Sequence, residues 1–469
     1  MFDRILSFLD PKVPDLSQSN AEFGTDVVTA YNSGRPSASK INLCNAPFNS
    51  LYFGHEGKIS VCCHSRYYEV GKYPQNSISE TWNGKRIKAF REEMAKYYLG
   101  PGCAVCKNQI LAGSYPTVKA KQYDQYTSRP DGFPSFIEFE LDNTCNLECE
   151  MCSGVFSSSI RKNRENLPPI ISPYDKAFVD QLEMYIPHLE QANFLGGEPF
   201  LINTYYDVWY RIVKLKPNLN IYVQTNGTVL NNRVKSLLLK ANFSIGVSLD
   251  SLETDNYARI RKNAELDKVL DNIDWFKSYC KSKGTYFGIS VCAMPQNWHE
   301  LPNMVAFANS IDVPLYFNTV LDPKHMSFDT LKTEAIDKIL AFYDAVELPA
   351  ATANQQVNKR QFDSVVRRLR LLHSKAFPTI HAISELKVVL LTALDQLQPA
   401  DLPTIRLTVE TKITAIEQAI GSEEMIRLLN VPTHHDRNSR TTLMLEMLRT
   451  MEVEDIVDIL RKSASATRA

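Results

Sequence analysis

The chain has 469 residues, 44% of them apolar, and its 52 Lys and Arg are balanced by 53 Asp and Glu. That length supports two or three hydrophobic cores, while a net charge of −1 removes any general electrostatic case for nucleic acid. No run approaches the roughly 20 apolar residues of a membrane span, and the start MFDRILSFLDPKVPD is too short in its apolar part and too acidic for a secretory signal.

Residues 1–115 carry one cysteine set: Cys44, Cys62, Cys63, Cys103 and Cys106. Their paired spacing suits a four-sulfur metal site, with a four-cysteine zinc site as the bland alternative. Residues 116–133 read as a linker. From 134 to 329, apolar strand-like runs at Phe136 to Leu141, Gln191 to Leu195, Asn220 to Gln224, Phe243 to Leu249, Tyr286 to Val291 and Pro314 to Thr319 alternate with helical stretches. That alternation predicts an α/β fold with a parallel sheet and helical crossovers, six units making a partial barrel. Residues 330–469 lose the strand signal and read as a helical region. Within it Phe362, Val365, Val366, Leu369 and Leu372 recur at helical spacing, leaving Arg367, Arg368 and Arg370 on a basic face. Such a face is ordinarily solvated; recognition of an acidic peptide or phosphate is the sharper alternative.

Chemistry-bearing residues follow the strands. Cys145, Cys149 and Cys152 stand in LDNTCNLECEMCSG after the first run; Gly196-Gly197-Glu198-Pro199 follows the second, Asn226 the third, Ser248 and Asp250 close the fourth, and Cys292 the fifth. Each polar residue or glycine alone is explained by turn formation or strand capping. Together they fall on the face where barrels of parallel strands place their active sites. Three thiolates from one short loop can also hold three corners of a four-iron cluster and leave one iron open, against the alternative of a zinc knuckle.

With these residues the chain resembles the radical S-adenosylmethionine (SAM) superfamily. The resemblance implies a [4Fe-4S] cluster on Cys145, Cys149 and Cys152, with SAM chelated at the open iron and cleaved reductively to methionine and a 5'-deoxyadenosyl radical that abstracts hydrogen from substrate. It implies SAM contacts at Gly196, Gly197, Glu198, Pro199, Asn226, Ser248, Asp250 and Arg261, the last in Tyr-Ala-Arg-Ile-Arg-Lys-Asn. Asn263 departs from the family pattern, in which glycine is common. In Gly57-Lys-Ile-Ser-Val-Cys62, Ser79-Glu-Thr-Trp82, Phe90-Arg91 and Cys103-Ala-Val-Cys106, the first region resembles the SPASM and twitch auxiliary-cluster modules, in reversed order relative to the barrel. That resemblance implies one auxiliary iron-sulfur cluster, a [4Fe-4S] type on Cys44, Cys62, Cys103 and Cys106; Cys63 competes with Cys62, and the glycine spacing favours Cys62.

The expected function is hydrogen abstraction from a peptide or protein. The alternatives are a small molecule, such as an alcohol, sugar or nucleotide derivative, and a noncatalytic iron-sulfur or electron-transfer protein. The resemblance also implies a low-potential electron donor such as flavodoxin or ferredoxin. Metal-bound thiolates suit a reducing compartment, here the cytoplasm. Cys292 is a candidate hydrogen donor to a substrate radical, weighed against a small buried residue with no reaction.

Overall fold

The computed structural model describes residues 23–66, 68–111, 115, 118–128, 132–375, 382–397, 402–430, 444–445 and 447–466. They fall into two compact units, one ending at Asn318 and the other beginning at Thr319.

The first unit is built on an open nine-stranded sheet in the order β3-β2-β1-β4-β5-β6-β7-β8-β9. The six strands expected from sequence are β4 Phe136–Phe139, β5 Gln191–Phe194, β6 Asn220–Thr225, β7 Asn242–Ser248, β8 Phe287–Ala293 and β9 Leu315–Thr319. β4 to β8 pair in parallel through successive neighbours. The amino-terminal region adds three more: β1 Ser50–Phe53 pairs in parallel with β4, while β2 Lys58–Ser60 and β3 Gly71–Lys72 continue antiparallel beyond it. The sheet does not close into a barrel.

Register explains why these runs are strands and which face each residue serves. Phe53, Phe139, Phe194, Val223, Ile245 and Phe287 align as one apolar row. Phe53 meets Phe178 of the Lys176–Leu182 helix at 5.1 Å, and Phe194 meets Trp209 of the Asn203–Leu215 helix at 5.2 Å. One residue earlier in each strand the row is Tyr52, Glu138, Asn193, Tyr222 and Ser244, polar throughout. With a side-chain period of two, that polar row must lie on the face away from those helices. In-register strands also bring their carboxyl ends to one edge of the sheet, where the loops bearing the cysteines and the GGEP run emerge.

The second unit is helical. Val409, Ile413 and Ile416 of the Leu402–Ile420 helix, spaced to share one helix face, are buried with Leu386, Leu390, Met425 and Leu429. In the Ala353–Lys375 helix Phe362, Val365 and Leu369 are buried. Arg368 pairs with Asp329 at 2.5 Å and Arg370 with Asp344 at 2.6 Å, so two of the three arginines on the basic face already have carboxylate partners. Among the described residues no helix is long and apolar enough to cross a membrane.

Candidate functional site

The loop from Leu141 to Cys152 has little regular structure and is held from outside. Asp142 Oδ1 accepts from the backbone N–H and hydroxyl of Thr144, at 2.7 and 2.6 Å, which sets the turn into Cys145. Ser157 caps the Ser158–Asn163 helix and donates to Leu147 O at 2.7 Å, while Ser159 donates to Cys145 O at 2.7 Å. On the other side Glu148 N–H and Glu150 N–H donate to Lys262 O and Ile260 O at 3.1 and 2.9 Å.

Glu148 locks that second seam, and the sequence reading missed it. Its carboxylate accepts from Asn163 at 2.9 Å, Lys262 at 3.0 Å and Asn263 at 3.1 Å, which hold its pKa down to about 2, the Asn163 bond foremost. Asn263 has φ +78°, in the left-handed region where Asn is tolerated better than other non-glycine residues. The departure from glycine therefore supplies a donor without a backbone clash.

The GGEP run packs straight onto this loop. Gly196 has φ +98°, and a Cβ at Gly197 would lie 2.2 Å from Thr144 O, so both positions exclude a side chain. Gly197 N–H donates to Asp142 O at 3.2 Å and Glu198 N–H to Thr144 O at 2.8 Å. Glu198 is fully buried; its carboxylate accepts from Thr225 Oγ1 and Asn226 N at 2.7 Å each and from Phe200 N at 3.2 Å, in the turn that Pro199 begins. Burial lifts its pKa to about 7 despite those donors. Asn226 Nδ2 donates to Asn146 Oδ1 at 3.0 Å and lies 4.0 Å from Cys145 Sγ. Glu198 is thus a tie between the β5 and β6 loops with three of its acceptor positions taken within the protein.

A second group gathers at the ends of β7 and β8. Arg261 and Asp250, both buried, pair at 2.8 Å, and Asp250 Oδ1 accepts from Cys292 N at 2.7 Å. Burial raises the Asp250 pKa, with Arg261 opposing the rise. Burial also works against the Arg261 charge, but Asp250 and then Cys149 more than compensate and hold it raised. Arg261 Nε is buried without a partner, which leaves that edge of the guanidinium open to an acceptor. Ser248 Oγ accepts from Gln224 at 2.8 Å. The Cys292 thiol, half-buried, is pushed well up by desolvation and then by Asp250, which keeps it an S–H group rather than a thiolate.

Donor chemistry fits a cluster on the three-cysteine loop. All three thiols are free. Burial pushes Cys145 up to about 11, and burial with the charges of Cys149 and Cys145 pushes Cys152 up to about 12; Cys149 is raised by burial as well. Thiolates that repel one another in a desolvated loop need a cationic centre to exist together.

The amino-terminal cysteines form a separate site. Cys44, Cys62, Cys103 and Cys106 line one cavity, closed by Phe90, Met94, Leu99, Lys119 and Tyr123. Cys62 follows the β1–β2 hairpin, whose turn contains Gly57 at φ +82°, while Cys103 and Cys106 flank the start of the Ala104–Leu111 helix. Burial, then the field of Cys106, pushes Cys62 up to about 12; Cys44 and Cys103 are also raised by burial and by the other thiols. This all-sulfur donor set likewise fits a metal cluster. Cys63 is not among the lining residues; burial, and then the charge of Glu138, raise its thiol instead.

Residues 140–308 match the family model of the radical SAM superfamily, and residues 44–107 match that of an iron-sulfur cluster-binding domain, SPASM. A probable GTP 3',8-cyclase of Methanocella arvoryzae is 32% identical over 143 residues, 30% of this chain and 42% of the relative. An uncharacterized protein of Methanocaldococcus jannaschii is 26% identical over 218 residues, 45% of this chain and 71% of the relative. Among solved structures, anSMEcpe with bound AdoMet aligns with a TM-score of 0.35 at 22% identity, over 45% of this chain and 57% of that one. SuiB of Streptococcus suis bound to its precursor peptide SuiA aligns with a TM-score of 0.34 at 14% identity, over 51% of each chain. The chain spans about two fifths of the length of the cyclases it matches, 42% in the Methanocella case.

Proposed function

From a chain whose residues 140–308 are a radical SAM domain and whose residues 44–107 are an iron-sulfur cluster-binding domain placed ahead of it, we propose an enzyme that cleaves SAM reductively and takes a hydrogen atom from a peptide or protein substrate. The observation that carries this reading is the cysteine loop held on both seams, by the Ser157–Ser159 run and by Glu148, at the carboxyl edge of a parallel sheet. Cys145, Cys149 and Cys152 would hold a [4Fe-4S] cluster, which when bound would supply the electron for reductive cleavage of SAM.

The chain's own residues hold and orient. Gly196 and Gly197 let the β5 loop lie against the cysteine loop, and Glu198 fixes the β6 loop beside it. Arg261, oriented by Asp250, offers its Nε edge to the SAM carboxylate, for which a guanidinium is well suited. Cys44, Cys62, Cys103 and Cys106 would hold the auxiliary cluster. Support for a peptide substrate comes from the resemblance of this module to those of peptide-modifying enzymes. A second reading, a nucleotide or other small-molecule substrate, draws on the sequence likeness to GTP 3',8-cyclases.

The test is anaerobic reconstitution followed by SAM and dithionite, with 5'-deoxyadenosine measured by chromatography. Formation in the parent and its loss on Cys145→Ala, Cys149→Ala and Cys152→Ala together is expected; equal yield from the triple variant would sink the reading. Candidate peptides and nucleoside triphosphates are then compared by mass analysis of the products.

A further inference from the structure

Lys119 is coupled both to the four-cysteine cavity and to a carboxylate in the polar row of the sheet. It lines the cavity. It also begins the short helical segment Lys119–Gln125. That segment is pinned rather than loosely laid. The buried Arg35 grips Asp124 with two bonds of 2.7 and 2.8 Å, Asn45 adds a third at 2.8 Å, and Asn49 donates to the carbonyls of Tyr123 and Tyr126 at 2.9 and 3.1 Å.

On its other side Lys119 shares the field of Glu138 with Cys62 and Cys63. Glu138 sits in the polar row of β4, 2% exposed; its Oε1 has no hydrogen-bond partner and its Oε2 takes only a long bond of 3.5 Å from Asn193. A buried carboxylate so poorly solvated by its own protein draws its stabilisation from a nearby cation. Lys119 is therefore placed to feel both the cavity and the sheet.

We propose that Lys119 sets the reduction potential of the cluster held by Cys44, Cys62, Cys103 and Cys106, with Glu138 as the opposing charge on the sheet side. The inference rests on the iron-sulfur reading of that cavity. Reducing a cluster by one electron adds one negative charge in a desolvated site, so a fixed ammonium favours the reduced form and a fixed carboxylate disfavours it. Lys119 is half-buried, and the apolar lining of Phe90, Met94 and Leu99 weakens the screening of its charge on the cavity side.

The experiment uses the full chain with Cys145, Cys149 and Cys152 changed to Ala, so that only the amino-terminal cluster is present. It is reconstituted with iron and sulfide and titrated with dithionite while the reduced cluster is followed by electron paramagnetic resonance. Lys119→Met should move the reduction equilibrium about tenfold toward the oxidised form, a potential lower by about 59 mV for one electron. Lys119→Arg should hold the potential of the parent, and Glu138→Gln should move it the opposite way. Iron analysis at about four atoms per chain certifies loading in each variant. If Lys119→Met cannot be loaded, the direction of the Glu138→Gln shift decides. Fully loaded variants that all titrate with the parent overturn the role of Lys119 and leave the cluster standing; zinc in place of iron in the parent overturns both.

Discussion

Replacing Gly197 by Ala should remove the SAM cluster while sparing the amino-terminal one. The added Cβ would stand 2.2 Å from Thr144 O, 2.6 Å from Thr144 C and 2.7 Å from Asn143 C. All three are backbone atoms, so no side chain can swing away, and the nearest is more than about 1 Å inside ordinary contact. Relief requires the cysteine loop to move at the residue before Cys145. That movement breaks the bonds from Glu198 N–H to Thr144 O and from Gly197 N–H to Asp142 O, each worth about 1 kcal/mol. Overpacking adds about 1 to 3 kcal/mol, for a total of roughly 3 to 5 kcal/mol concentrated on one loop. The assay is iron per chain after anaerobic reconstitution, which should fall from about eight to about four, together with loss of 5'-deoxyadenosine formation. A Gly197→Ala protein that binds the full complement of iron and cleaves SAM at the parent rate would refute the packing argument.

Cys63→Ala should retain the full iron content and Cys62→Ala should lose about half of it, because only Cys62 lines the cavity; iron analysis of the pair decides the ligand. Asp175 caps the Lys176–Leu182 helix and accepts from Tyr73 Oη at 2.6 Å, the Tyr73 bond being the first cause of its lowered pKa. A depressed carboxylate contributes stability above its unfolded pKa and loses it as pH falls through the folded one, so Asp175→Ala should cost about 1 kcal/mol near neutrality and flatten the acid limb of denaturant unfolding below pH of about 4. Changing Arg367, Arg368 and Arg370 together to Gln should alter stability by less than about 1 kcal/mol per ion pair and leave product formation unchanged at subsaturating substrate; a selective loss of product would restore a recognition role to that face. Cys292→Ala should keep turnover, and loss of solvent deuterium from the product in that variant would instead mark the thiol as the hydrogen donor.

Features that depend on near neighbours along the chain are legible before folding. The spacing of Cys145, Cys149 and Cys152 reads directly because one loop carries all three, and the β4 to β9 runs read because each is a short apolar run set between helical stretches. The apolar stripe of Val409, Ile413 and Ile416 reads for the same reason, helical periodicity being a local property. Tertiary structure decided what depends on pairing across distance. Cys62 lines the cavity with the other thiols while its neighbour Cys63 lies in the field of Glu138, a residue of β4 far along the chain. β1 was invisible as a sheet member because Ser50 to Phe53 is short, and its partner Phe136 to Phe139 lies far along the chain. Glu148 resembled any exposed acid until Asn163, Lys262 and Asn263 converged on it. Glu198 shows the limit most clearly: its motif is legible, but three of its acceptor positions are taken by Phe200, Thr225 and Asn226, and only the folding of β6 against β5 brings the last two within reach of its oxygens.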